Sequence, residues 1–343
     1  MINIPELFLL SLILVFVNLF LLKKNILIDV PNIDKHKRKI FFSKKVPKSL
    51  GLILLLSILY KFEYNIYEKL SIFLIFYLGI QSDIKKINSP KVRFIIQAII
   101  ILLFSIYSKN FIIDTRIPFI DYMLQYKLFK LMLTLFCVLI IINGSNFIDG
   151  LNTLCLGYYL NILLILYFLN FDLIAQIDSI NYLISIMGIL FLFNFFGKSF
   201  LGDGGSYLLG FFFSIILIKL HIQNSEISPW FFAILLWYPA FEILFSIIRR
   251  SYQKKNAFLA DNAHFHQLLY LYFKKKYNLN TPFLNPMIAN LINFFNLIIF
   301  LIALKYNTQT ILMINIFIFN CLVYLGIYFL LTKSFSKSKF NEK

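Results

Sequence analysis

Charge is what this 343-residue sequence lacks most: Asp, Glu, Lys and Arg make up 14% of it, and apolar residues 60%. A soluble chain carries roughly a quarter charged residues and about half apolar, so a water-soluble fold is excluded and the chain reads as a membrane protein. Acids are the scarcer sign, 16 against 33 Lys plus Arg, a net charge of +17. In a soluble protein that excess would suggest nucleic acid. Here it is first a topology signal, because Lys and Arg concentrate in cytoplasmic loops, and no nucleic-acid partner is expected. Cysteine is nearly missing as well. Cys137, Cys155 and Cys321 lie in or beside apolar runs, which excludes a disulfide framework and a thiolate metal site.

What the chain has instead is eleven apolar runs, at about 5–22, 48–60, 68–81, 94–108, 128–142, 154–170, 180–196, 206–220, 229–248, 288–304 and 310–332. Backbone groups in hydrocarbon must be satisfied internally, and the alternation of barrel strands is absent, so the runs are expected to be helices. The expected fold is all-α, a polytopic integral membrane protein with about 10–11 transmembrane helices forming one domain over 1–343. The runs at 48–60, 68–81 and 94–108 fall short of the ~20 residues of a spanning helix, so each could be re-entrant or extend into its polar flank. The first run has no Lys or Arg before it and Lys23 and Lys24 after it, which is not a signal-peptide pattern.

Loop charge sets the expected orientation. With the N-terminus outside, the inside segments 23–47, 82–93, 143–153, 197–205, 249–287 and the tail from 333, with the bordering Lys48, hold 25 Lys or Arg. The outside loops hold only Lys61, Lys109, Arg116, Lys127 and Lys305. The C-terminus is then cytoplasmic.

Polar clusters in so apolar a chain carry the chemistry, and four fall on the expected cytoplasmic face. The first runs from Gln81-Ser82-Asp83 through Lys85, Lys86, Lys91 and Arg93 to Gln97. It is either an ordinary positive-inside loop or a site joining a metal, through its one carboxylate, to phosphates. The second, Asn143 to Asn152, has no Lys or Arg. Its Asn143, Asn146, Asp149 and Asn152 offer donors and acceptors suited to sugar hydroxyls, a base edge or a hydrated metal, or simply make a polar turn. The third, Gly202-Asp203-Gly204-Gly205-Ser206, opens a helix. Its amides favour anions and its Asp suits a cation bridging to a diphosphate, unless it is a plain capping turn. The fourth joins Arg249 and Arg250 to Asp261, His264 and His266, and two His that stand two apart on an extended segment face one side. They could contact a phosphate or uracil. Glu242, inside a run, is a further buried acid in need of a partner.

In this order the motifs resemble the polyprenyl-phosphate N-acetylhexosamine-1-phosphate transferases, glycosyltransferase family 4. That family shows an Asp-Asp pair followed by basic residues and a Gln, here Ser82-Asp83 through Arg93 and Gln97. It shows Asn-x-x-Asn-x-x-Asp-Gly, matched by Asn143, Asn146, Asp149 and Gly150, and Gly-Asp-x-Gly-Ser-x-x-Leu-Gly, matched from Gly202 to Gly210. Its Arg-Arg and Asp-x-x-His-x-His are matched by Arg249, Arg250, Asp261, His264 and His266, with Glu242 where Asp is usual. An early Asp-x-Pro-Asn and Pro-x-x-x-Gly are matched by Asp29, Pro31, Asn32, Pro47 and Gly51. With no His-His-His run, the chain is more similar to the undecaprenyl-phosphate N-acetylglucosamine-1-phosphate transferase branch than to the muramoyl-pentapeptide branch.

The resemblance implies transfer of a HexNAc-1-phosphate from a UDP-sugar to undecaprenyl phosphate, releasing UMP and initiating a cell-surface glycan, with Mg²⁺ or Mn²⁺, at the bacterial inner (plasma) membrane. It implies catalytic roles for Asp83, Asp149 and Asp203, with Asp203 and Asp149 toward the metal. Lys86, Lys91 and Arg93 would hold lipid phosphate. Asn143, Asn146, Asn152, Arg249, Arg250, His264 and His266 would hold substrate, the histidines at the nucleotide or leaving diphosphate. Membrane lipid and a second copy of the chain are the remaining candidate partners. Ser82 departs from the family's first Asp, and Gln267 stands where some members have a third His. The competing readings are a transporter or lipid-handling protein, or a family member made inactive by Ser82.

Overall fold

The computed structural model describes residues 4–30, 45–169, 174–254, 263–277 and 282–340, so the expectations placed on Pro31, Asn32 and Asp261 lie outside the described residues. Helix α1 (Ile4–Lys24) leads to an antiparallel strand pair, β1 (Ile28–Asp29) and β2 (Val46–Pro47), with Ile28 opposite Pro47. Then come α2 (Leu50–Lys61), α3 (Ile66–Asp83), α4 (Pro90–Ser108), α5 (Pro118–Met123), α6 (Lys127–Ile148) and α7 (Leu154–Phe168). The chain continues through α8 (Ile174–Phe195), α9 (Gly202–Gln223), α10 (Pro229–Leu235), α11 (Trp237–Tyr252), α12 (Phe265–Lys276), α13 (Leu284–Lys305) and α14 (Thr310–Phe340).

Every apolar run is helical, and the fold is an all-α polytopic membrane protein. Six helices among the described residues are long and apolar enough to cross a bilayer, and α10 and α11 pass the same test only when taken together as a bent pair. Besides α1, whose first residues lie partly outside the described side chains, three apolar helices fall short of that test for identifiable reasons. α2 and α7 are short, with 12 and 15 residues, and α3 carries Glu68, Lys69 and Asp83. The run at 229–248 is broken: α10 and α11 meet at 73°. Pro239, in the first turn of α11, has no N–H to donate back across the junction, so the helix cannot be continuous there. Helices α5 and α12 lie in segments expected as loops.

α9 is the axis of the bundle. Its Phe211, Phe212 and Phe213 are fully buried, and Tyr159 stacks on Phe213 with ring centroids 4.5 Å apart. Around it, α1, α4 and α14 turn Phe16, Ile95 and Leu330 outward, as helices facing hydrocarbon rather than water do. The α3–α9 crossing is close enough to place backbone on backbone. A Cβ added at Gly79 would lie 2.5 Å from the Asp203 carbonyl oxygen and from Gly204 Cα, and small residues are what permits such contact between membrane helices.

Candidate active site

Three of the clusters meet on one carboxylate at one end of this crossing. The last turn of α3 presents Ser82, the first turn of α4 Arg93, the last turns of α6 Asn146, and the first turn of α9 Asp203. Ser82 Oγ donates to Asp203 Oδ2 at 2.5 Å, and Arg93 Nη1 donates to the same oxygen at 2.9 Å and to Ser82 Oγ. Asn146 Nδ2 donates to Asp203 Oδ1 at 2.9 Å and to Ser206 Oγ at 3.1 Å. The Asp203 side chain remains 26% exposed, so it is open on the side the protein does not cover.

Asp83, one residue on from Ser82, is 1% exposed and filled on both oxygens: Oδ1 accepts from Lys48 Nζ at 2.8 Å and Oδ2 from Gly204 N–H at 3.0 Å. Gly202 makes this approach possible. It sits at φ +71, where an L side chain is strained, and a Cβ there would come within 2.7 Å of Asp83 Oδ2. Burial and then the charge of Asp203 push the Asp83 carboxyl up from its ordinary value, against Lys48 and the Gly204 amide. Burial works to lower Lys48, but the attraction of Asp83 outweighs it and the ammonium is held above its ordinary range.

The second cluster is helical over most of its length, not a loop, because α6 continues to Ile148. Asn143, Asn146 and Asp149 therefore recur at steps of three on one face, with Asp149 as the C-cap residue. Asn143 Nδ2 donates to Gln97 Oε1 at 2.8 Å, which joins it to α4. Beyond it the chain turns through Thr153 at φ +68, unusual for a β-branched residue. Asparagines absent from the expected set hold that turn. Asn285 accepts from Asn152 N–H at 2.8 Å, Asn194 from Thr153 N–H at 2.5 Å, and Asn293 donates to the Thr153 carbonyl at 3.0 Å.

The histidines arrive at the start of α12, where His264 is the N-cap residue with an extended backbone and His266 already lies in the first helical turn. Their rings still face one side, parallel within 6° and 5.8 Å apart, and Phe147 meets His264 edge-on at 4.9 Å. His266 is fully buried against Gly150, where an added Cβ would meet Nε2 at 2.3 Å, and among the described residues neither ring nitrogen has a protein partner. Burial lowers its pKa to about 3, so it is neutral at physiological pH. His264 Nδ1 lies 2.9 Å from Glu242 Oε1. Glu242 thus has the partner expected of an acid in a span, where an ionised carboxylate costs at least ~2.5 kcal/mol on insertion scales. Arg249 donates to the Ala263 carbonyl and Arg250 is buried on α11, whereas Lys86 and Lys91 lie exposed at the rim.

The structure therefore brings Asp83, Asp203, Asn146 and Arg93 together, and stands Asn143, Asp149 and the histidines alongside. Sequence reasoning missed Lys48 as a site residue. Its only signal is a lone Lys at the head of a short apolar run, where it reads as loop charge.

Among the described residues no three His, Cys, Asp or Glu side chains cluster as metal ligands. Asp203 itself is met by a hydroxyl, a guanidinium and an amide nitrogen, and the oxygen ligands nearby are its own partly open carboxylate, the Ser82 and Ser206 hydroxyls and the Asn146 amide oxygen. They fit a hard divalent cation that takes one or two carboxylates and completes its shell from substrate phosphates and water. Toward the other end of α9, the 112–120 segment, α6, α9, α10 and α11 line an apolar cavity of about 380 Å³ that runs from Thr115 and His221 to Ile141, Ala240 and Leu244.

Residues 66–221 match the family described as Glycosyl transferase family 4. The chain is 27% identical over 282 residues, 78% of each chain, to a "Probable undecaprenyl-phosphate N-acetylglucosaminyl 1-phosphate transferase" of Bacillus subtilis. It is 37% identical over 71 residues, 21% of this chain and 23% of the relative, to an "Undecaprenyl-phosphate alpha-N-acetylglucosaminyl 1-phosphate transferase" of Thermotoga maritima. The matched segment runs from the start of α3 to the last turns of α9 and so contains Ser82, Asp83, Arg93, Asn146 and Asp203. With the motif order and the convergence of those residues, the chain is similar to glycosyl transferase family 4 across its site-bearing segment, and these likenesses indicate a phosphotransferase enzyme.

Proposed function

We propose that the protein transfers a HexNAc-1-phosphate from a UDP-sugar to undecaprenyl phosphate, giving undecaprenyl-diphosphate-HexNAc and UMP. The observation that carries this is the half-open Asp203 carboxylate beside Arg93, at the glycine-flanked start of α9. In the reaction an oxygen of the lipid phosphate attacks the sugar-bearing phosphorus of the donor. The bond from that phosphorus to the bridging oxygen breaks, and UMP leaves with the electron pair. Such transfers need positioning and charge neutralisation more than covalent chemistry.

Asp203, with Asn146 and Asp149 along the same wall, would hold Mg²⁺ or Mn²⁺, which when bound supplies charge neutralisation at the diphosphate. Arg93 stands at the transferring phosphate, and Lys86 and Lys91 receive the lipid headgroup at the rim. Asp83 acts with Lys48 to hold the start of α9 through the Gly204 amide. Ser82 costs no necessary base, since a phosphate monoester has its second pKa near ~6 and is mostly dianionic at pH 7. Asn143, Asn152, Arg249, Arg250, His264 and His266 line the donor side, where the His266 nitrogens, without a partner among the described residues, offer a polar contact. The site faces the cytoplasm, with the N-terminus outside, as the 25-to-5 loop charges support.

Membranes containing the protein are incubated with undecaprenyl phosphate and a panel of labelled UDP-HexNAc donors, with and without Mg²⁺. Labelled lipid and UMP that require the cation are expected. Absence of both with every donor overturns the reading.

A further inference from the structure

The family-matched segment ends at residue 221, yet the most constrained side chain near the site lies beyond it, on α11. Glu242 is 1% exposed and its two oxygens serve two elements. Oε1 lies 2.9 Å from His264 Nδ1 and accepts from Phe265 N–H at 3.3 Å, and Oε2 accepts from Tyr324 Oη–H at 2.9 Å. One turn further along α14, Tyr328 donates to the Ala263 carbonyl at 3.1 Å and is itself met by Arg249. Tyr324 and Tyr328 are parallel within 6°, so one face of the last helix grips both the acid and the segment that carries the histidine.

We infer that Glu242, Tyr324 and Tyr328 are positioning residues that hold His264 as the Nδ1–H tautomer, with its Nε2 lone pair turned to the substrate. A carboxylate only accepts, so the proton of the neutral ring sits on Nδ1, and the other nitrogen becomes the acceptor. Phe147 and His266 fix the plane of the ring. Tyr324 occupies the second carboxylate oxygen, which keeps Glu242 from turning away from the ring. A histidine held in this way accepts a hydrogen bond from a ligand hydroxyl or imide N–H without first changing tautomer. The last helix is thereby part of the working site, although it presents no residue to the substrate.

The inference rests on the transferase reading for its substrate and for its turnover test, but not for its spectroscopic test. The chain has four histidines, so the full-length protein labelled with ¹⁵N-histidine gives a short set of two-bond ring correlations, assigned by His264→Asn. These spectra need no substrate, and a wrong sugar assignment leaves them unaffected. His264 is expected as a single Nδ1–H species in the wild type, and as a mixture or as Nε2–H in Glu242→Leu, with Glu242→Asp restoring the single species.

Tyr324→Phe removes one oxygen and no packing volume, so it folds even where the Glu242 variant does not. It is expected to lower turnover by about tenfold, the low end for loss of a supporting partner, with KM for the donor changed less than about twofold. An Nε2–H tautomer in the wild type, or full turnover in Tyr324→Phe, overturns the inference.

Discussion

Helices α3 and α9 cross with a buried acid–lysine pair at each end, and the two ends serve different purposes. At the far end, Glu68 near the start of α3 meets Lys219 near the end of α9 at 2.7 Å. At the site end, Asp83 closes α3 and meets Lys48 at 2.8 Å, beside Asp203 at the start of α9. Glu68 is finished by the protein: the Asn65 amide, Asn110 Nδ2 and Lys219 all serve it, and it forms a capping box with Asn65. Arg116 closes that end further, donating to carbonyls of Ser225, Glu226 and Thr308. The site end adds a second acid, a second cation and glycines, and it leaves one carboxylate partly open. An ion pair alone therefore does not mark a site. The mark is a carboxylate that the fold surrounds with donors yet leaves open on one side.

The largest expected effect tests that openness. Asp203→Ala should reduce labelled-lipid formation by at least about 100-fold, the scale of losing one preorganised electrostatic group, while the melting temperature in detergent stays near wild type. Retained turnover would remove Asp203 from the chemistry. Next, Lys48→Met and Lys219→Met each leave a buried carboxylate unpaired and should each cost about 3–5 kcal/mol of stability. Turnover per folded molecule should fall only in Lys48→Met. Equal losses at both ends would break the distinction drawn between them.

Gly79→Ala forces α3 away from the Asp203 backbone and should destabilise by about 1–3 kcal/mol as overpacking does, read as a lower melting temperature. Gly326→Ala, with nothing within 4 Å of the added carbon, serves as its control. The smallest effect belongs to Ser82→Ala, which removes one donor to Asp203. It should cost about 1 kcal/mol and a few-fold in turnover, and a complete loss of activity would give Ser82 a role of its own.

Much of the architecture was legible because each apolar run must be a helix in hydrocarbon. The break at 236 was not, since an apolar run reads the same whether straight or bent, although Pro239 was the available clue. Helices α5 and α12 were missed because they are short and carry polar residues among the apolar ones. Within the site, polar residues that interrupt apolar runs stand out, which is why Asp83, Asn146 and Asp203 are singled out, whereas Ser82 reads only as a departure from the family's acid. The transverse partners were not visible. Nothing near Tyr324 in the chain indicates that it faces Glu242, 82 residues away, and Asn285 falls in the 249–287 loop, just before the next apolar run. Asn143 and Asn146 were assigned to a loop because polarity reads as the end of a helix, whereas buried partners such as Gln97 allow it to continue.

The contact of Gly79 with the Asp203–Gly204 backbone has a consequence for how this active site can vary. Where two main chains touch, the distance between them is set by van der Waals radii and not by any rotamer, so the crossing acts as a fixed gauge between the end of α3 and the start of α9. Side chains mounted on that gauge can be exchanged without recalibrating it. A serine at position 82 in place of the family's acid is such an exchange: it alters the charge presented to the substrate while the carboxylate it touches keeps its place.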